Sequence, residues 1–125
     1  MRGEATVDSK NQLLRFEFEE RATMRDWKEG LATLFRLSEE TGLTRILVDV
    51  RKQKAVAPMA ELFSFGAEIP SGMAFAVLSA PHRQDHKFVE TVALNRGRNV
   101  SLFFGPEEDA VAWLMNWPNK SAAEK

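Results

Sequence analysis

The chain has 125 residues, no cysteine, and 17 Lys and Arg against 18 Asp and Glu, for a formal net charge of -1. That length fits one domain able to bury roughly two-thirds of its unfolded surface without a disulfide or metal. The missing thiol excludes zinc–thiolate centres, iron–sulfur clusters and cysteine catalysis, and balanced charge lacks the basic excess from which nucleic-acid binders draw their affinity.

Taken in chain order, Glu4 to Asp8 forms a short strand and Ser9-Lys10-Asn11 a polar turn. Leu14, Phe16 and Phe18 then alternate with Arg15, Glu17 and Glu19, the period of a half-buried strand. The two runs predict a hairpin at one edge of a sheet. Thr23 with Asp26 three places on is a capping arrangement. Trp27, Leu31, Leu34, Phe35 and Ser38 follow at helical spacing, predicting a helix from Met24 to Thr41 that Gly42 ends in a left-handed cap. Ile46 to Val50 is a run of branched apolar residues bounded by charges, the pattern of a strand covered on both faces.

Arg51 to Ala57 reads as a loop, and Pro58 suits the first turn of a second helix. Met59, Leu62, Phe63, Phe65, Gly66 and Ile69 make that helix apolar around much of its circumference, and Pro70-Ser71-Gly72 ends it. Met73 to Leu78 is another interior strand, and Gln84 to Leu94 a helix with Phe88, Val89, Val92 and Ala93 on one face. Val100 to Phe104 is the last strand. Gly105-Pro106 opens a closing helix whose first turn carries Glu107, Glu108 and Asp109, where the helix dipole favours negative charge. Ala110, Trp113, Leu114 and Trp117 form its buried stripe and Pro118 stops it.

A strand pair, three helix–strand repeats and a final helix imply an α/β fold: a mixed sheet of about five strands, with right-handed crossovers and about four helices. A single domain is expected over residues 1–118, with a small polar tail over residues 119–125. No signal-like apolar core and no run of roughly 20 apolar residues is present. The compartment expected is the cytoplasm, with peripheral membrane association as a variant.

Two stretches carry a family resemblance. Ile46-Leu47-Val48-Asp49-Val50-Arg51 and Phe103-Phe104-Gly105-Pro106-Glu107-Glu108-Asp109-Ala110-Val111-Ala112-Trp113-Leu114, together with the element order, resemble the SpoIIAA-like family, relatives of the STAS domains. The resemblance implies a strand–helix superhelix and a non-catalytic module that binds apolar ligands, membranes or proteins. Phosphorylatable members carry Ser or Thr at the start of the second helix. Here Lys52 to Pro58 holds no hydroxyl residue, so no phosphorylation site is carried over.

The second helix is the main candidate for function. Met59, Leu62, Phe63 and Gly66 share one face, while Phe65 and Ile69 are displaced from its centre: either a neighbouring element covers them in a wide core face, or they meet a ligand, a membrane or a second subunit. The basic loop residues Arg51, Lys52 and Lys54 would attract an anionic membrane surface. The expected partner is therefore an apolar ligand, such a membrane, or a protein including a second copy of the chain; no cofactor or nucleic acid is expected. An alternative is an oligomerisation module without small ligand, anchored by Phe65 and Ile69. A third reading is a small enzyme in which Asp49 at a strand exit acts as base with His82 and His86. Those two histidines stand one helical turn apart and, with Asp85, are the residues in the chain best spaced to hold a metal.

Overall fold

The computed structural model describes residues 2–117. Its elements are β1 (Gly3–Asp8), β2 (Leu13–Phe18), α1 (Met24–Thr41), β3 (Arg45–Asp49), α2 (Met59–Glu68), β4 (Ala74–Leu78), α3 (Gln84–Asn95), β5 (Asn99–Phe103) and α4 (Glu107–Met115). The strands form one mixed sheet in the order β1-β2-β3-β4-β5. β1 runs antiparallel to β2, and every later neighbour is parallel. The α/β class, the five strands and the four helices are as the sequence predicts. The tail expected at residues 119–125 lies outside the described residues.

Local chemistry sets the boundaries. The Asp26 carboxylate accepts hydrogen bonds from Thr23 N (2.8 Å) and Arg2 N (3.0 Å), fixing the start of α1. Gly42 ends α1 at φ 76, a left-handed turn open to glycine, and its N–H reaches Ser38 O at 2.8 Å. β5 ends one residue earlier than the sequence suggests, at Phe103, and Phe104 is exposed.

The sheet buries two different faces. On one, Leu14, Ile46, Phe75 and Val100 line up across β2 to β5 beneath residues of α1, α2 and α3. On the other, Leu13, Leu47, Ala74, Ala76 and Leu78 pack against Ala110 and Leu114 of α4. Phe103 and Trp113 extend this second core, their rings 5.9 Å apart.

Three helices share this face. The five strands span about 19 Å at the usual strand spacing, with α1 over β1 and β2 at one edge and α3 over β5 at the other. Three helices side by side need about 16–20 Å between the outer axes. Between the outer two, the backbone of α2 runs along α3, meets α1 and lies close to no strand, while Leu62 and the capping Ile69 reach into the core shared with the sheet. Gly66 makes the α2–α3 approach possible, because a Cβ there would stand 2.9 Å from the Val92 Cβ. On the open edge of the sheet, Glu90 of α3 accepts the Leu102 N–H at 2.7 Å.

Candidate functional site

A space lies between the end of α2 and the sheet. The row of sheet residues in register with Phe16, namely Val48, Val77 and Leu102, is only half-buried although it lies on central and edge strands. These residues floor a cavity of about 70 Å³. Phe65 and Ile69 of α2 overhang it, Trp27 and Leu31 of α1 wall one side, and His86, Val89 and Glu90 of α3 wall the other. Trp27 packs against Phe65 (ring centroids 5.2 Å), His86 (5.5 Å) and Phe18 (6.3 Å). Its Nε1 is buried and has no hydrogen-bond partner, a state that costs about 1–3 kcal/mol for a neutral donor.

A second, wider cleft of about 310 Å³ lies outside Trp27, between the start of α1 and residues 53–58. Thr23, Arg25, Gln53, Pro58, Glu61 and Asp85 are among its borders.

Beside the cavity is a buried polar network. Gln53 donates its amide to Ala22 O at 3.0 Å, which turns the Gln53 Oε1 toward His86 Nε2 at 3.1 Å. The network therefore assigns the ring proton to Nε2, and Nδ1 accepts from the Ser79 hydroxyl at 2.6 Å. Arg83 grips the Asp85 carboxylate twice, at 2.9 and 2.6 Å, and donates to the carbonyls of Gln53 and Ala55. The loop that leads into α2 is thereby tied to the start of α3. Burial is the main force holding His86 neutral, with the Arg83 and His82 charges adding to it against Asp85, and its pKa falls to about 4. Burial also opposes ionisation of Asp85, but the Arg83 hydrogen bond and the nearby His86 and Arg83 charges overcome it and hold the carboxyl below its ordinary value.

The candidate residues fall differently from the sequence reading. Phe65 and Ile69 turn inward over the cavity, Ile69 being buried and Phe65 half-buried. Met59 and Phe63, expected on the covered face with Leu62 and Gly66, are 68% and 48% exposed. The buried stripe is Leu62, Phe65, Gly66 and Ile69, the same helical spacing moved by three residues. Phe63 keeps one polar neighbour, the Arg96 guanidinium 5.8 Å from its ring centroid.

Arg51, Lys52 and Lys54 do not form a free basic patch. They pair with Asp49 (2.8 Å), Glu17 (2.9 Å) and Glu20 (3.0 Å), so their charge is locally neutralised. Burial works against the charge on Asp49, yet hydrogen bonds from the Arg51 side chain and backbone, with Arg15 at 3.7 Å, leave its pKa below the ordinary carboxylate value. Asp49 lies in register with Leu78 on the α4 face, whereas His86 borders the cavity on the other face. The proposed Asp49–histidine constellation is not assembled. His82 is exposed, both ring nitrogens of His86 are engaged, and Asp85 is clamped by Arg83. No group of three potential metal ligands occurs among the described residues. No helix among them is long and apolar enough to cross a membrane.

Ser79, Gln53 and Arg83 escaped the sequence reading. The only local sign was a hydroxyl directly after an apolar strand, followed by two polar-rich turns. No protein-family model, curated protein or solved structure matches the chain.

Proposed function

We propose that the protein is a non-catalytic binding module that holds an apolar small molecule between α2 and the sheet, with a SpoIIAA-like kinship as part of that reading. The observation that carries it is the apolar cavity floored by Val48, Val77 and Leu102 beneath a helix whose backbone lies close to no strand. Burial of apolar ligand surface there contributes roughly 25 cal/mol per Å². Ligand pockets are of this kind: mostly apolar walls with a few polar groups. The order of strands and the alternation of helices agree with the resemblance drawn from the sequence. A catalytic role for His86 is disfavoured by chemistry, because a buried imidazole with a pKa of about 4 is a weak base near neutral pH.

Pentane titrated into methyl-labelled protein tests the site. Saturable shifts are expected at Val48, Val77 and Leu102, with none at Leu47 or Leu114 across the sheet. Shifts that do not saturate, or that spread equally to both faces, sink the reading.

A second reading rests on Met59 and Phe63, one turn apart and exposed on the outer side of α2. They would anchor a protein partner or a second copy of the chain, the role expected from helical spacing for Phe65 and Ile69. Sedimentation of the wild type against Phe63→Glu decides: a concentration-dependent dimer lost in the variant supports it, and a monomer in both rejects self-association.

A further inference from the structure

We propose that the space beneath α2 takes an uncharged carbonyl compound with a short apolar chain, whose oxygen accepts the hydrogen bond that Trp27 Nε1 lacks. The inference rests on the apolar-ligand reading above and adds the polar chemistry of the ligand.

The walls of the cavity contain few polar side chains, and almost all are already spent. His86 uses one nitrogen on Ser79 and the other on Gln53. Glu90 uses one carboxylate oxygen on Lys87 Nζ and the other on Leu102 N. Trp27 Nε1 is the buried side-chain polar atom without a partner among the described residues. An indole N–H is a donor only, so whatever completes it must bring an acceptor. Water fits less well, since a buried water needs two to four partners and the neighbouring side chains offer it only the lone pairs that Lys87 and Leu102 N leave on Glu90.

Charge and donor count narrow the ligand further. The cavity wall carries Glu90 and no Lys or Arg, so a carboxylate would be buried without a counter-ion, at high cost. An ammonium group offers no acceptor to the indole. An alcohol brings its own O–H, and the acceptor side chain on the wall with lone pairs left for it is Glu90, whose two oxygens already serve Lys87 and Leu102 N. A ketone, aldehyde or ester supplies an acceptor and no donor, which matches the single unmet group.

Size sets how it would sit. The cavity, at about 70 Å³, is about half of the ~150 Å³ that holds a benzene molecule in a protein interior, so only a chain end fits within it in this conformation. Trp27 borders both this cavity and the outer cleft of about 310 Å³. Its ring is held by contacts with Phe18, Phe65 and His86 and by no hydrogen bond. Turning the indole joins the two spaces. The chain end then lies over the valine floor, the carbonyl meets the indole N–H, and the remainder occupies the cleft.

The three tryptophans give three indole N–H signals in a ¹⁵N-labelled sample, and 2-hexanone, hexanoate and pentane are titrated separately at a pH where hexanoate is ionised. The Trp27 indole proton is expected to move downfield and saturate with 2-hexanone. Hexanoate should bind at least about tenfold more weakly, since its charge finds no partner. Pentane should perturb the cavity methyls without that downfield shift. In Trp27→Phe, 2-hexanone should weaken by about tenfold, the value of one hydrogen bond, and pentane should not. If this variant fails to fold, the wild-type spectra decide alone. An indole proton unmoved by 2-hexanone, or hexanoate binding as tightly, overturns the inference. Pentane binding with no ketone effect rejects the carbonyl and leaves the apolar site standing, whereas no binding by either compound removes both.

Discussion

The two faces of the sheet are built from the same strands and packed to different standards. The α4 face uses small side chains, Ala74 and Ala76 against Ala110, with Leu47, Leu78 and Leu114 between them, and these are almost wholly buried under one helix. The opposite face has larger residues, Phe16, Phe18, Phe75 and Trp27, and three helices, yet it is the face with the void. Bulk does not guarantee filling. A single helix settles onto alanines on one face, while on the other α2 packs along α3 and reaches the core only through side chains such as Leu62.

Paired substitutions test that contrast. The largest effect is expected from Leu114→Ala, which opens a hole on the tight face and should cost about 3–5 kcal/mol in denaturant unfolding. The same truncation at half-buried Leu31, on the cavity wall, should cost about 1 kcal/mol, because part of its surface already faces empty space. Equal losses would mean that the faces are packed alike.

Next comes acidity. His86 has a folded pKa of about 4 against an unfolded value near 6.5. The unfolded chain therefore binds the extra proton first as the pH drops. Stability from this group is complete above about pH 6.5 and is lost progressively as the pH falls toward 4, by on the order of 3 kcal/mol. His86→Asn should flatten the profile across that window. A wild-type profile flat from pH 7 to 4 would show that the imidazole is not held neutral.

Neighbouring residues on opposite sides of β4 give a change of sign. Ala76→Leu overfills the α4 side and should destabilise by about 1–3 kcal/mol. Val77→Leu grows into the void, and should leave stability unchanged or raise it by up to about 1 kcal/mol while abolishing pentane binding. Both measurements come from the same urea titrations, and destabilisation by Val77→Leu would argue that the space is not available. The smallest effect is expected from removing the surface charges of Lys52 and Lys54, whose pairs with Glu17 and Glu20 are solvent-exposed. Alanine at either position should leave the melting temperature and the affinity for anionic vesicles unchanged from the wild type.

Much of this architecture is legible in the residues. Period-two alternation marks β2, Gly42 places the end of α1, and the acidic first turn with Pro106 before it marks α4. The orientation of α2 is not legible for a concrete reason. Met59, Leu62, Phe63 and Gly66 satisfy helical spacing as well as Leu62, Phe65, Gly66 and Ile69 do, and the two stripes share Leu62 and Gly66. Which one faces inward depends on where α3 presents Val92 to Gly66, a relation between distant parts of the chain. The distance of a helix from its sheet likewise leaves no trace in periodicity. The polar network was hidden for a similar reason: Gln53, Ser79, Arg83 and His86 come from two loops, the start of one helix and its first turn, and meet only through the fold.

The Glu90 carboxylate on the Leu102 N–H has a further meaning. It occupies the donor that a foreign strand would need in order to zip onto β5. The β1 rim has no such plug from a neighbouring helix side chain among the described hydrogen bonds. Should molecules of this protein ever stick together strand to strand, growth would start from the hairpin end of the sheet, and charge placed at Thr6 and Val7, beyond that of Glu4, would be the means of stopping it.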